Sequence, residues 1–124
     1  MNGKVLVIDD DRDVRETICN ILQAGSYDVE QAKDGNQGLM AFEQGEFDLI
    51  ITDILMPRKE GIETILEIRG GNPDIKIIAI SGGDRTGNNA YLEMAKKLGA
   101  DGTLKKPFVA KQLLSLIDEV LNPA

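Results

Sequence analysis

Leu49-Ile50-Ile51-Thr52-Asp53-Ile54-Leu55-Met56-Pro57 is the stretch whose reading decides the fold. Phe47 to Thr52 is short, apolar and rich in β-branched residues, the signature of a strand buried on both faces. Asp53 ends the run, and Pro57 forbids ordinary continuation of strand pairing. A carboxylate therefore stands at the carboxyl end of a central strand. In an open parallel α/β sheet, that edge is where ligands bind. A second acidic group follows a similar run, Val5-Leu6-Val7-Ile8, as Asp9-Asp10-Asp11.

Working outward, Lys4 to Ile8 reads as strand one. Asp11 or Asp13 can cap the helix that follows, since a carboxylate accepts the free N–H groups of a first turn. Val14, Ile18, Ile21 and Leu22 share one helical face, and Gly25 ends that helix. Tyr27 to Ala32 is a more polar strand two, expected at the sheet edge. After the Asp34-Gly35 turn, Leu39 and Phe42 mark a second helix that closes near Gly45. A third helix runs from Gly61 to Arg69, with Ile62, Ile65 and Leu66 inward and Gly70-Gly71-Asn72-Pro73 as the stop. Ile75 to Ile80 is strand four, ending at Ser81, and Gly82 to Asn89 is a glycine-rich loop. Tyr91, Leu92, Ala95 and Leu98 predict helix four. Thr103 to Lys105 is strand five, before Lys106-Pro107. The last helix carries a wide apolar face of Leu113, Leu114, Leu116, Ile117, Val120 and Leu121.

Strand and helix alternate throughout, which predicts an α/β fold: a doubly wound five-stranded parallel sheet with helices on both faces. In the flavodoxin-like order 2-1-3-4-5, strands one and three are neighbours where the strand order reverses. Asp9, Asp10 and Asp53 then share one edge, and Ser81 and Lys106 open onto it from strands four and five. One domain is expected over residues 1–124, with its core at about 4–121.

The 124 residues carry 21 acidic and 14 basic side chains, a formal charge of −7. That balance argues against non-specific binding to nucleic acid or to an anionic membrane. With Cys19 as the only cysteine, neither an internal disulfide nor a zinc–cysteine cluster is available, and Cys19 itself reads as a small core residue. The sequence has no histidine, so imidazole cannot serve as base, ligand or phosphate carrier. It shows no membrane-length apolar run and no signal peptide, so a cytoplasmic protein is the expectation.

Three carboxylates in one crevice repel, and a divalent cation removes the conflict. Hard oxygen donors without His or Cys favour Mg2+, with Mn2+ as a substitute, over zinc. A lysine and a hydroxyl nearby complete a cradle for a phosphoryl group, whose transfer needs mainly positioning and charge neutralisation. Asp53, alone on the central strand, is the better-placed nucleophile. Asp9, Asp11 and Asp13 mimic the start of a calcium loop. Val14 and Asn20 stand where that loop needs Gly and Glu, which rejects it.

Together, Val7-Ile8-Asp9-Asp10-Asp11, Thr52-Asp53-Ile54-Leu55-Met56-Pro57 with Gly61, Ser81-Gly82 and Lys106-Pro107-Phe108 resemble the receiver domain of bacterial two-component response regulators. The likeness runs from Lys4 to about Leu121 and is nearest to single-domain chemotaxis-type receivers. It implies that Asp53 is the phospho-acceptor and Asp10 a direct Mg2+ ligand. It also implies that the backbone carbonyl of Leu55 is a ligand and that Asp9 acts partly through water. Ser81 and Lys106 would hold the phosphoryl group. The donor would be a phosphohistidine on a histidine kinase or histidine phosphotransfer protein. A downstream protein, or a second copy in a homodimer formed on phosphorylation, would meet the surface of helix four, strand five and helix five. Direct contact with nucleic acid or membrane is not expected.

Two positions depart from the family pattern. Thr103 stands where an aromatic residue is common, three before the lysine, so the switch response is expected in Gly82 to Asn89 instead. Leu55 is bulky and apolar where many relatives are polar. The competing reading is a Mg2+-dependent phosphohydrolase with an aspartyl-phosphate intermediate. Such an enzyme typically places Asp-x-Asp in one motif after strand one and needs a cap or insertion for substrate; here no insertion exists, and the lone Asp follows strand three. Multiple turnover on external substrates is therefore not expected.

Overall fold

The computed structural model describes residues 3–54, 61–82 and 90–122. Five strands and five helices alternate: β1 (Lys4–Ile8), α1 (Arg12–Ala24), β2 (Asp28–Ala32), α2 (Gly35–Gln44), β3 (Leu49–Asp53), α3 (Gly61–Gly71), β4 (Lys76–Ser81), α4 (Ala90–Lys97), β5 (Gly102–Lys105) and α5 (Ala110–Leu121). The sheet is parallel throughout, in the order β2-β1-β3-β4-β5. This is the doubly wound, flavodoxin-like arrangement expected from the sequence.

Alternation along each inner strand sorts the apolar side chains between two cores. Val5 and Val7, Leu49 and Ile51, and Ile78 and Ile80 pack with Ile18, Cys19 and Leu22 of α1 and with Leu113, Ile117 and Val120 of α5. Leu6, Ile8, Ile50, Ile77 and Ala79 face the other way, against Ile65 and Ile68 of α3 and Ala95 of α4. Helices α1 and α5 thus cover one face, and α2, α3 and α4 the other. Cys19 is the buried core residue expected, with burial pushing its thiol upward.

Several boundaries shift. Phe47 and Asp48 precede β3 rather than joining it, while Asp53 is the last residue of that strand. Ser81 likewise closes β4, and α3 continues through Gly70 and Gly71 before Asn72 stops it. The Asn72 Oδ1 accepts from the N–H groups of Asp74 and Ile75, closing the turn.

The inward face of α3 is corrected as well. Leu66 is 48% exposed, and the buried stripe is Gly61, Thr64, Ile65 and Ile68, spaced i, i+3, i+4 and i+7. At the end of α1, the left-handed residue is Ser26 (φ 67°) and not Gly25. Gly25 is small for another reason: a Cβ there would stand 3.2 Å from Leu114 Cδ2 of α5. Leu114 and Leu116 are both half-buried, as the surface expectation for α5 requires. The segment 83–89, where the switch response was expected, and the Leu55 carbonyl lie outside the described residues, as do the side chains of 90–92.

Candidate phosphoryl and metal site

Register brings the acidic groups together. Ile8 pairs with Thr52 across β1 and β3, so Asp9 and Asp53, each one residue further on, stand side by side at the carboxyl edge. Asp53 in turn pairs with Ile80 of β4, and Ile54 N–H extends that ladder to the Ile80 carbonyl. Carboxylate oxygens of Asp9, Asp10 and Asp53 all lie within 4.8 Å of one another. Asp9 and Asp53 are buried, at 1% and 7% exposure, whereas Asp10 is exposed.

The three consecutive aspartates divide their work. Asp11 caps α1, its Oδ1 accepting from Asp13 N–H (2.9 Å) and Val14 N–H (3.3 Å). Asp9 Oδ1 accepts from Asp11 N–H at 2.9 Å, which turns the Asp9 side chain into the crevice. Asp10 is left to face the outer side of the cluster.

Lys106 closes the site from β5. Its backbone N–H donates to the Ser81 carbonyl at 2.8 Å, so the end of β4 sets where the lysine starts. The Lys106–Pro107 peptide is cis. From there the ammonium reaches both buried carboxylates, 3.2 Å from Asp9 Oδ2 and 3.2 Å from Asp53 Oδ2. Ser81 is fully buried beside this edge.

Electrostatics follow from that crowding. Burial pushes the Asp9 carboxyl above the usual carboxylate range, and repulsion by Asp53 adds to it. The Asp11 N–H and Lys106 pull the other way without cancelling the rise. For Lys106, burial lowers the ammonium, but attraction to Asp53 and Asp9 together outweighs it and holds it above its ordinary value. Among the described residues, three clustered carboxylates face the one ammonium that pairs with them, a surplus of acidic oxygens that suits a divalent cation.

Gly61 explains its own place in the motif. A Cβ at this first residue of α3 would run into the Asp53 carbonyl oxygen and the Ile54 Cα. Its N–H donates to the Ile54 carbonyl at 3.1 Å. Only glycine lets α3 begin this close to the strand end that presents Asp53.

Four of the expected site residues, Asp9, Asp10, Asp53 and Lys106, are brought together, and Ser81 lies at the same edge. One contributor was not read from the sequence: Arg15, whose Nη1 donates to the Asp9 carbonyl at 2.8 Å. Its spacing on α1 gives no signal without the fold. Beside Lys106, a mostly apolar cleft of about 290 Å3 is lined by Asp13, Val14, Thr17, Pro107 and Phe108.

Residues 5–118 match the response regulator receiver domain. The chain belongs to that family. Its relatives include the response regulator MprA of Mycobacterium tuberculosis, 33% identical over 122 residues that make up 98% of this chain and 52% of that protein. The chain spans about half the length of the curated relatives it matches. Among solved structures, the chemotaxis protein CheY4 of Vibrio cholerae is similar with a TM-score of 0.88 and 31% identity, over 96% of this chain and 98% of that one. TrrA of Thermotoga maritima, a response regulator solved in complex with Mg2+-BeF, is similar with a TM-score of 0.85 and 30% identity, over 95% and 98%. In this receiver the acidic strand ends fall at the topological switch point.

Proposed function

We propose that this receiver takes a phosphoryl group onto Asp53, with Mg2+ held at the acidic edge. The observation that carries the reading is the cluster of Asp9, Asp10 and Asp53 with Lys106 bridging the two buried members. The donor set fits the metal: hard carboxylate oxygens on adjacent strand ends, with no soft ligand among them. Asp10 and Asp53 would bind the ion directly, Asp9 partly through water, and the Leu55 carbonyl would complete the protein ligands. Mn2+ would substitute. When bound, the cation neutralises charge on the phosphoryl oxygens during transfer. The TrrA complex with Mg2+-BeF supports the same chemistry at a related site.

The residues divide the task. An Asp53 carboxylate oxygen attacks phosphorus, the O–P bond forms, and the N–P bond of the donor phosphohistidine breaks with its electron pair returning to the imidazole. Lys106 exchanges its contact with Asp53 Oδ2 for one with the incoming phosphoryl group, a charge-assisted bond. The Ser81 hydroxyl donates to another phosphoryl oxygen. Return of the group to water ends the cycle, and turnover on external substrates is not part of the function.

The donor is a histidine kinase or a histidine phosphotransfer protein, and the apolar cleft between α1 and the Lys106–Phe108 turn supports its docking beside the site. Output passes through the α4-β5-α5 surface to a downstream protein or a second copy of the chain, where half-buried Leu114 and Leu116 are available. Neither nucleic acid nor membrane is a direct partner. No helix among the described residues is long and apolar enough to cross a membrane, and a cytoplasmic location fits the reading.

Incubation with acetyl phosphate, followed by intact mass, tests the proposal. One phosphoryl adduct is expected with Mg2+, and none with EDTA or in Asp53→Asn. An adduct that forms equally well in EDTA would defeat it, as would repeated turnover of phosphomonoesters.

A further inference from the structure

Arg15 is the one cation besides Lys106 that is bonded directly to an acidic strand end of the site among the described residues, and it binds backbone rather than carboxylate. It stands one turn inside α1, its N–H bonded to the Asp11 carbonyl at 2.9 Å. Helical side chains lean toward the N-terminus. The Arg15 side chain does so and is half-buried, with Nη1 2.8 Å from the Asp9 carbonyl oxygen and Nε 3.0 Å from Gln31 Oε1 on β2. Gln31 is the register partner of Val7, so the anchor is the strand pair itself.

We infer that Arg15 is a positioning residue for the metal site, clamping the Asp9–Asp10 peptide plane to β2; this rests on the Mg2+ reading above. The remaining polar groups of Asp9 are already held: its N–H by the Ala32 carbonyl at 3.1 Å, Oδ1 by the Asp11 N–H, and Oδ2 by Lys106. The carbonyl is the remaining degree of freedom. A peptide is planar, so fixing the Asp9 C=O also fixes the Asp10 N–H and the point from which the Asp10 side chain departs. Asp10 is the exposed member of the cluster and the one with least burial to orient it. A planar guanidinium meets two acceptors at once, which a lysine ammonium on a flexible stem does poorly.

Charge alone predicts the opposite sign. A guanidinium near a cation site repels Mg2+, so removing it for its charge would tighten binding. Removing it as a clamp loosens binding, and loss of a group that orients a metal ligand costs roughly tenfold in affinity.

The test is calorimetric titration of the metal-free chain with Mg2+, in wild type, Arg15→Met, Arg15→Lys and Gln31→Met. Each fold is checked by circular dichroism and thermal unfolding in EDTA. Arg15→Met is expected to weaken Mg2+ about tenfold, and Arg15→Lys and Gln31→Met by less but in the same direction. In acetyl phosphate reactions, the deficit should shrink as Mg2+ is raised, because the half-saturating concentration moves. A merely structural role would instead lower the unfolding temperature and leave the Mg2+ affinity of the folded fraction unchanged. Wild-type affinity in Arg15→Met, tighter binding there, or wild-type affinity in both Arg15→Lys and Gln31→Met would overturn the inference. Gln31→Met leaves α1 intact and decides the case if Arg15→Met does not fold. Absence of Mg2+ binding by the wild type would overturn the site reading itself, and the clamp with it.

Discussion

Single residues at the site work against the fold and for the chemistry. Asp9 holds its proton more tightly in the folded chain than an ordinary carboxylate, first because it is buried. The sign follows from linkage: its contribution to stability is full below the unfolded value near 3.8 and is lost as pH rises through the raised folded value. At neutral pH, above the unfolded value, an acidic group at this position therefore costs stability relative to a neutral one. Asp9→Asn is expected to raise the unfolding temperature in EDTA at pH 7, with the gain vanishing at pH 3; a lower unfolding temperature at pH 7 would contradict this. Lys106 has the opposite bearing. Its raised folded value means that its contribution is present below the unfolded value near 10.5 and is lost only as pH rises above that. Lys106→Met removes the ammonium that both buried carboxylates share and should cost about 1–3 kcal/mol at pH 7 in EDTA, measured by urea unfolding. Mg2+ should recover part of that loss. Far from the site, Ser26 carries a left-handed backbone that glycine adopts freely. Relief of about 1 kcal/mol of strain, less the added flexibility of the unfolded chain, predicts that Ser26→Gly stabilises by about 0.5 kcal/mol.

Elements set where those residues stand. Gly61→Ala should drive α3 off the end of β3, costing about 1–3 kcal/mol or more and slowing phosphorylation of Asp53, since the intruding Cβ meets backbone and not a flexible side chain. Arg69 works at the opposite edge of the sheet. Its guanidinium donates to the carbonyls of Pro73 (2.8 Å), Ile75 (2.6 Å) and Gly99 (2.6 Å), and to Asp101 Oδ2 (2.9 Å). Asp101 Oδ2 also accepts from Ile77 N–H. One side chain thus ties the end of α3 to the start of β4 and to the α4–β5 turn. Arg69→Met is expected to destabilise by about 2–4 kcal/mol, and Arg69→Lys to recover little, because three carbonyls and a carboxylate need the fork. Equal stability of Arg69→Lys and wild type would contradict that. The strands were legible because Val5–Ile8, Leu49–Ile51 and Ile77–Ile80 are buried on both faces, leaving apolar runs that nothing else explains. Helix α3 was less legible. Counting its stripe from Gly61 rather than Ile62 would have found Thr64 buried and Leu66 exposed, but a glycine and a threonine carry no hydrophobic signal. Arg15 and Arg69 could not be read at all: the partners of both include groups far along the chain, and only the fold brings them within reach.

At the scale of the whole molecule, the site was legible because sheet topology turns separate weak signals into one place. Asp9, Asp53, Ser81 and Lys106 end four different strands, and the order β2-β1-β3-β4-β5 puts those ends along one edge. At that edge the Lys106 N–H bond to the Ser81 carbonyl joins the ends of β5 and β4. The central claim is that Asp53 is the residue that carries the phosphoryl group. Its most direct test is to phosphorylate the chain with acetyl phosphate and Mg2+, reduce the acyl phosphate with borohydride, and sequence the peptides by tandem mass spectrometry. The account predicts homoserine at position 53 and unmodified aspartate at 9, 10 and 11. Homoserine at Asp9 or Asp10 with Asp53 intact would contradict it.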